Sequence, residues 1–274
     1  MDFDEIGYWS EIKLDIIREY AKTYSTIMSA QTNPTFHHIY IDAFAGAGLH
    51  YSKTKEDIIP GSPINALKII PPFREFHLID LDGEKTEFLK ELTSNYKNVQ
   101  VYNEDCNKIL LEKVFPNCLY KDYKRALCLL DPYGLHLNWN VIYNAGQMKS
   151  VEIFLNFPVA DMNRNVLWNN PDNVDNSQIN RMNSFWGDES WQKAAYGTES
   201  NLFGLLEKTD NLTVAKAFQK RLKEKAGFSY VPDPIPMRNT NGAVIYYLFF
   251  ASQKPVAADI VRQIFGKYRN KGKK

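Results

Sequence analysis

Apolar positions change their period along this chain, and each change predicts an element. Leu14, Ile17, Ala21, Tyr24 and Met28 form one helical stripe, and Trp9, Ile12, Ile16, Tyr20 and Ile27 form another beside it. Two adjacent stripes make one wide apolar face, so a helix docked on a core is expected. Ser10 is placed to cap its start. Asn33-Pro34 closes it, because proline disfavours helical backbone in the residue before it. From residue 38 short apolar runs replace the stripes. Runs 38–42, 76–80, 99–102, 126–130 and 151–155 read as strands, with helical or loop stretches between them, including a helix through Phe88, Leu89 and Leu92. The runs at 126–130 and 151–155 are nearly all apolar, as strands buried on both faces are. Later, 228–238 and 243–251 read as two strands joined through Asn239-Thr240-Asn241-Gly242, and Asn-Gly is a hairpin signal. Pro255 opens a last helix through Ile260, Val261 and Ile264. Strands alternating with helices predict an α/β fold: a doubly wound, mostly parallel sheet of seven strands, closed by the antiparallel hairpin.

The segment between the fifth strand and the hairpin, residues 157–225, is crowded with asparagine and carries Trp168, Trp186 and Trp191. It is expected to be a mixed loop and short-helix cap over the sheet edge. The organisation read from these patterns is an N-terminal helix packed on the core (1–37), one domain over 38–270 with the cap inserted, and a basic tail at 271–274.

Composition narrows the class. A length of 274 residues fits one large domain, and 44% hydrophobic with 24% charged residues argues against global disorder. No run approaches the ~20 apolar residues of a membrane span. The start, Met1-Asp2-Phe3-Asp4-Glu5, is acidic and shows no signal-peptide core. Cys106, Cys118 and Cys128 are odd in number with no CxxC pair, so a disulfide framework or cysteine-rich zinc site is not expected and a reducing cytoplasm is. The net charge of +1 hides an asymmetry. Six basic residues and no acid fall within 262–274, which leaves a body of −5. That body offers no broad basic face for nucleic acid. The tail is either a phosphate contact or a solvated end.

Candidate chemistry falls at the carboxyl ends of the predicted strands, where open α/β sheets bind ligands. Asp42-Ala43-Phe44-Ala45-Gly46-Ala47-Gly48 follows the first strand, and two glycines one apart either let backbone amides approach a ligand or make a tight turn. The nicotinamide-type GxGxxG pattern fails, because position 51 is Tyr51. Ser62 as N-cap with Pro63 after it starts a helix whose free amides suit an anion, or are simply capped. Asp80 ends the second strand and can accept from both hydroxyls of a ribose. Asp105 ends the third and can accept from an adenine amino group, or either acid can cap a helix. Asp131-Pro132-Tyr133-Gly134 is the most specific piece. An exocyclic amine on a base is a poor nucleophile because its lone pair is delocalised into the ring. An Asp side chain and a proline carbonyl can hold its two hydrogens and free that lone pair, while an aromatic stacks on the base. Alternatively, Asp131 caps the following helix and Tyr133 packs.

Together these segments resemble a class I S-adenosylmethionine-dependent methyltransferase, and more narrowly the three-Cys-motif partner (TcmP) family. The matching pieces are the Trp9-to-Tyr24 helix, Asp42 to Gly48, Pro60-Gly61-Ser62-Pro63, Asp80-Leu81-Asp82, Asp105-Cys106, Asp131 to Leu135 and the closing Leu248 to Ser252, almost the whole chain. The resemblance implies a Rossmann-like fold and S-adenosyl-L-methionine as cofactor. Gly46 and Gly48 would pass under its methionine part, with Asp42, Phe44 and Ser62 beside them. Asp80 and Leu81 would hold the ribose, and Asp105 and Cys106 would meet the adenine. Asp131, Pro132 and Tyr133 would line the methyl-acceptor site, and no metal is required. Base amino methyltransferases carry D-P-P-Y or N-P-P-Y there. The D-P-Y-G of this chain is closer to the D-P-F/Y-G of enzymes that methylate the guanine amine in transfer RNA. The expected acceptor is therefore an exocyclic amine on a nucleic-acid base. The family is named for a partner protein bearing three cysteines, a possible partner here as well; the scattered cysteines of this chain are not that motif. Two other readings stand beside this one: a non-catalytic cofactor-binding module acting through a partner, and a small-molecule methyltransferase whose Trp- and Asn-rich cap closes the pocket.

Overall fold

In the computed structural model, residues 3–200 and 206–269 are described; the basic tail at 271–274 lies outside them. The strands, in chain order, are β1 (Glu5–Ile6), β2 (His37–Asp42), β3 (Leu49–Ser52), β4 (Asp57–Pro60), β5 (Glu75–Asp80), β6 (Val99–Asn103), β7 (Lys124–Leu130), β8 (Val151–Phe157), β9 (Tyr196–Ser200), β10 (Leu206–Lys208), β11 (Ile235–Arg238) and β12 (Val244–Ala251). The helices are α1 (Tyr8–Ser29), α2 (Ser62–Leu67), α3 (Gly83–Thr93), α4 (Cys106–Ile109), α5 (Trp139–Met148), α6 (Val159–Asn165), α7 (Asn176–Trp186), α8 (Trp191–Ala195), α9 (Asn211–Glu224) and α10 (Pro255–Arg269). The main sheet has seven strands in the order β11-β12-β8-β7-β2-β5-β6. Strands β8, β7, β2, β5 and β6 are parallel, and β12 runs antiparallel to both β8 and β11. The predicted α/β fold, doubly wound and mostly parallel, is therefore the observed one.

Successive side chains on a strand point to opposite faces, and this alternation builds two cores. Tyr40, Leu127, Leu129, Phe154 and Phe250 face α1, α2 and α10. Ile39, Ile41, Cys128, Leu130, Ile153, Leu155 and Phe249 face α4, α5, α7 and α9. Much of the second core comes from residues 157–225. Phe218 of α9 stands 4.7 Å from Phe157 and 5.6 Å from Phe185, ring centre to ring centre. Trp186 and Trp191 are buried there as well. Among the described residues no helix is long and apolar enough to cross a membrane.

The structure corrects several local expectations. Helix α1 begins one residue before Trp9 and is capped by Gly7, not Ser10, with no side-chain cap bond. Gly61 caps α2, so Ser62 is the first helical residue and its hydroxyl is left free for other contacts. The first hairpin strand is Ile235–Arg238, shorter than 228–238, because Pro232 and Pro234 have no amide to give the ladder. After the glycines the chain forms the antiparallel pair β3–β4, on which β1 adds in parallel, a separate three-stranded sheet that ties the N-terminal segment to the stretch following the glycine loop.

Gly146 tests the second core. A Cβ there would stand 2.1 Å from the Ala226 carbonyl oxygen, which Gln147 Nε2 also holds at 3.0 Å. Alanine favours a helix over glycine by about 1 kcal/mol, yet overpacking against backbone costs about 1–3 kcal/mol or more. Gly146→Ala is expected to lower stability by about 2 kcal/mol, read as a lower urea midpoint at unchanged slope. A higher midpoint would contradict this packing.

Candidate active site

Parallel strands deliver their carboxyl ends to one edge, and here that edge collects acids. Asp42 ends β2, Asp80 ends β5, and Asp131 follows β7 directly. Asp80 is a structural tie as well as a charge. Its Oδ2 accepts from the Gly46 amide at 2.7 Å and its Oδ1 from the Asp82 amide at 3.0 Å, which clamps the glycine loop to β5. Gly46 needs its freedom, with φ +58°, and a Cβ on it would meet nothing within 4 Å. Gly48 is different. A Cβ there would stand 2.8 Å from Leu89 Cδ1, so this glycine serves the packing of the loop on α3.

Asp42 lies below the loop, fully buried. Its Oδ1 accepts from the Phe44 amide at 3.3 Å, and among the described residues its Oδ2 has no hydrogen-bond partner. Burial pushes the carboxyl up to about 7. The nearby Ser62 hydroxyl draws it down without reaching hydrogen-bond geometry, while Asp131 and Asp80 push it further up.

A cavity of about 200 Å³ opens above this edge, lined among others by Phe44, Gly46, Ser62, Asp131, Pro132 and Tyr133. The loop that carries the last three is held from three sides. Asn156 Nδ2 donates to the Pro132 carbonyl at 3.1 Å. Asp161 accepts from the Leu135 amide at 3.2 Å, and approaches so closely that a Cβ on Gly134 would stand 2.7 Å from it. Asn107 ties the far end, donating to the His136 carbonyl and accepting from the Asn138 amide. Tyr133 itself is 78% exposed, with its hydroxyl donating to Asp4 at 3.2 Å.

The partner of Asp131 is Lys13 of α1, whose ammonium donates to Oδ2 and lies 5.3 Å from the centre of the Tyr246 ring. Burial alone would pull this lysine down, but Asp131 raises it well above its ordinary value, so it stays charged. Three buried polar atoms in the lining residues lack hydrogen-bond partners among the described residues: His50 Nδ1, Asn156 Oδ1 and the Tyr246 hydroxyl. Buried polar groups are nearly always satisfied, so these three, out of nine such atoms among the described residues, are groups that a polar ligand or water in the cavity would satisfy.

The structure thus brings together six of the residues singled out in the sequence, with Asp42 beneath them and Asp80 holding Gly46. The remaining four stand apart from the cavity lining. Gly48 packs on α3, and Leu81 is 76% exposed. Asp105 caps α4 and also fixes Asn107 Nδ2 at 2.9 Å. Cys106 is buried in the second core, its thiol pushed up to about 12 by burial. None of Trp168, Trp186 and Trp191 lines the cavity. Lys13, His50, Asn156 and Tyr246 were not singled out in the sequence. Lys13 had a signal, since it falls four residues after Trp9 and three before Ile16, in the middle of an apolar stripe.

No family model matches the chain, and no curated protein matches it in sequence. Solved structures do resemble it. Protein LPL1258 from Legionella pneumophila covers 94% of this chain and 93% of its own at 13% identity, with a TM-score of 0.54. The methyltransferase domain of bacterial CtHen1 covers 85% of this chain and 99% of its own at 10% identity, with a TM-score of 0.40. A SAM-dependent methyltransferase from Leishmania major covers 87% and 72% at 10% identity, with a TM-score of 0.40. The likeness to the Legionella protein is one of fold, a Rossmann-like α/β architecture shared across nearly the whole chain.

Asp42 gives a pH prediction. Its folded-state pKa of about 7 lies above its ordinary 3.8. The stability it contributes is therefore complete below about pH 4 and is lost as pH rises toward 7. Each unit is worth about 1.4 kcal/mol. Asp42→Asn is expected to gain on the wild type by about 2–4 kcal/mol at pH 7.5 and not at pH 4, measured by urea unfolding. An equal difference at both pH values would contradict the assignment.

Proposed function

We propose that this chain is an S-adenosylmethionine-dependent methyltransferase of the class I type, that its acceptor is a nitrogen, and that the nitrogen is an exocyclic amine on a nucleic-acid base. The observation that carries the reading is the cavity itself. It joins the glycine loop after β2 to the Asp131-Pro132-Tyr133 turn after β7, between two strands that are neighbours in the sheet. The TcmP resemblance belongs to the same proposal, with a three-cysteine protein as a possible partner.

The residues present fit such a cofactor. Gly46 leaves open space where a side chain would stand, Asp42 offers a buried oxygen without a partner, and Asp80 keeps a lone pair on each oxygen beyond its amide bonds. In this reading Gly46, Asp80 and the exposed face of Leu81 hold the cofactor. When bound, it supplies a methyl carbon made electrophilic by a positively charged sulfur.

The chain's own groups prepare the acceptor. Lys13 occupies Oδ2 of Asp131, which leaves Oδ1 for one hydrogen of an amine. The Pro132 carbonyl, fixed by Asn156, takes the other. Two fixed acceptors turn the nitrogen lone pair out of conjugation with the ring and toward the glycine loop. The exposed ring of Tyr133 offers a surface for stacking. Asp131 is then the nearest base for the proton that the nitrogen sheds once methylated. Holding acceptor and donor in register can remove about 7–11 kcal/mol of a bimolecular barrier. A base within a duplex has to be extruded first, at a cost of a few kcal/mol.

The test is transfer of a labelled methyl group into separate pools of nucleic acid, protein and small molecules. Label is expected on base nitrogens in nucleic acid, and Asp131→Asn should lower kcat by about 10²-fold or more, the scale of a lost acid–base group. Label in no pool, with cofactor bound, would refute the proposal.

A further inference from the structure

The ammonium of Lys13 has more donors than the protein uses. Its side chain is 12% exposed, and among the described residues Asp131 is its one hydrogen-bond partner. An ammonium carries three N–H donors. One serves Asp131, and another can point at the Tyr246 ring, which lies 5.3 Å away. A buried donor left unanswered is costly, so the remaining capacity calls for an acceptor supplied by whatever fills the cavity. Asp131 and Pro132, the acceptors assigned above to an amine, line the same cavity as Lys13. A molecule that gives its amine to those two groups therefore meets a charged donor beside them.

We propose that Lys13 is a specificity-determining residue that donates to an unprotonated ring nitrogen adjacent to the reacting amine. The inference rests on the base-amine reading and deepens it. The site then takes amidine-type amines, as on adenine, cytosine or guanine. It rejects alkylamines such as a lysine side chain or a polyamine for two reasons. They carry no acceptor beside the amine, and in their protonated form their charge is repelled by Lys13.

The test uses short oligonucleotides, each with one base or its analogue bearing C–H in place of the ring nitrogen beside the amine: adenine against 1-deazaadenine, cytosine against 3-deazacytosine, guanine against 3-deazaguanine. For whichever base accepts methyl, kcat/KM should fall about 10- to 100-fold on that replacement, the worth of one hydrogen bond from a charged donor. In Lys13→Met the same replacement should cost only a few-fold, while Lys13→Arg keeps the penalty. Equal rates on base and analogue in the wild-type protein, a comparison that needs no variant to fold, would overturn the proposal and leave the base-amine reading standing. An undiminished penalty in Lys13→Met would overturn it too. Label on none of the oligonucleotides would overturn the base-amine reading and this inference with it.

Discussion

A parallel sheet brings its strand ends to one edge, and in this chain the ends carry like charges that converge in a poorly solvated place. Asp42, Asp80 and Asp131 lie close enough that the last two raise the first. The arrangement is tenable because each acid has a distinct answer. Asp80 is met by two backbone amides, Asp131 by the ammonium of Lys13, and Asp42 by burial that favours its neutral form. Among the described residues, Lys13 is the one lysine or arginine in the cavity lining. It arrives from the N-terminal helix, so the helix that covers one core also completes the electrostatics of the edge.

That division separates holding from chemistry. The glycine loop is set by Asp80, and the Asp131 turn is set by Asn107, Asn156 and Asp161, residues on three other elements or loops. Fixed supports of this kind keep two carbonyl-type acceptors in place without any rearrangement when a substrate arrives. Of the buried polar atoms left without partners among the described residues, three lie in residues lining the cavity and Asp42 Oδ2 lies beneath it, a local cost consistent with a site shaped for a ligand, while Tyr24, His38, Tyr40, His77 and Asn163 hold the others away from the lining. Asp42 shows the same compromise within one residue, since the burial that readies its free oxygen also makes its charged form destabilising.

The fold was legible in the sequence wherever burial left a periodic trace. Strands β7 and β8 are buried on both faces and read as unbroken apolar runs, while Asn241-Gly242 marked the closing hairpin. The mostly parallel seven-stranded sheet read from the alternation is the one the ladders show, while the order of its strands comes from the structure. Weak periodicity hid β3 and β4, where Lys53, Lys55 and Asp57 interrupt the run and one face is solvated. The site was legible to the extent that strand ends are. Asp42, Asp80 and Asp131 were found because each follows an apolar run. Lys13 escaped because a lysine inside an apolar stripe is ordinarily taken to snorkel outward, and only the tertiary structure shows it turned to Asp131. Asn156 escaped because it closes a strand whose other residues explain it as core. Cys106 and Gly48 follow strands β6 and β2, yet their side-chain positions face the protein, and direction is what a strand end does not specify.

The account stands on the cavity edge being a site for S-adenosylmethionine, and calorimetric titration with that cofactor measures this most directly. The wild-type protein should bind it at one site, and Asp80→Ala, which frees Gly46 from β5, should abolish the heat while the protein stays folded by circular dichroism. No binding to the wild-type protein, or undiminished binding to folded Asp80→Ala, would contradict the account.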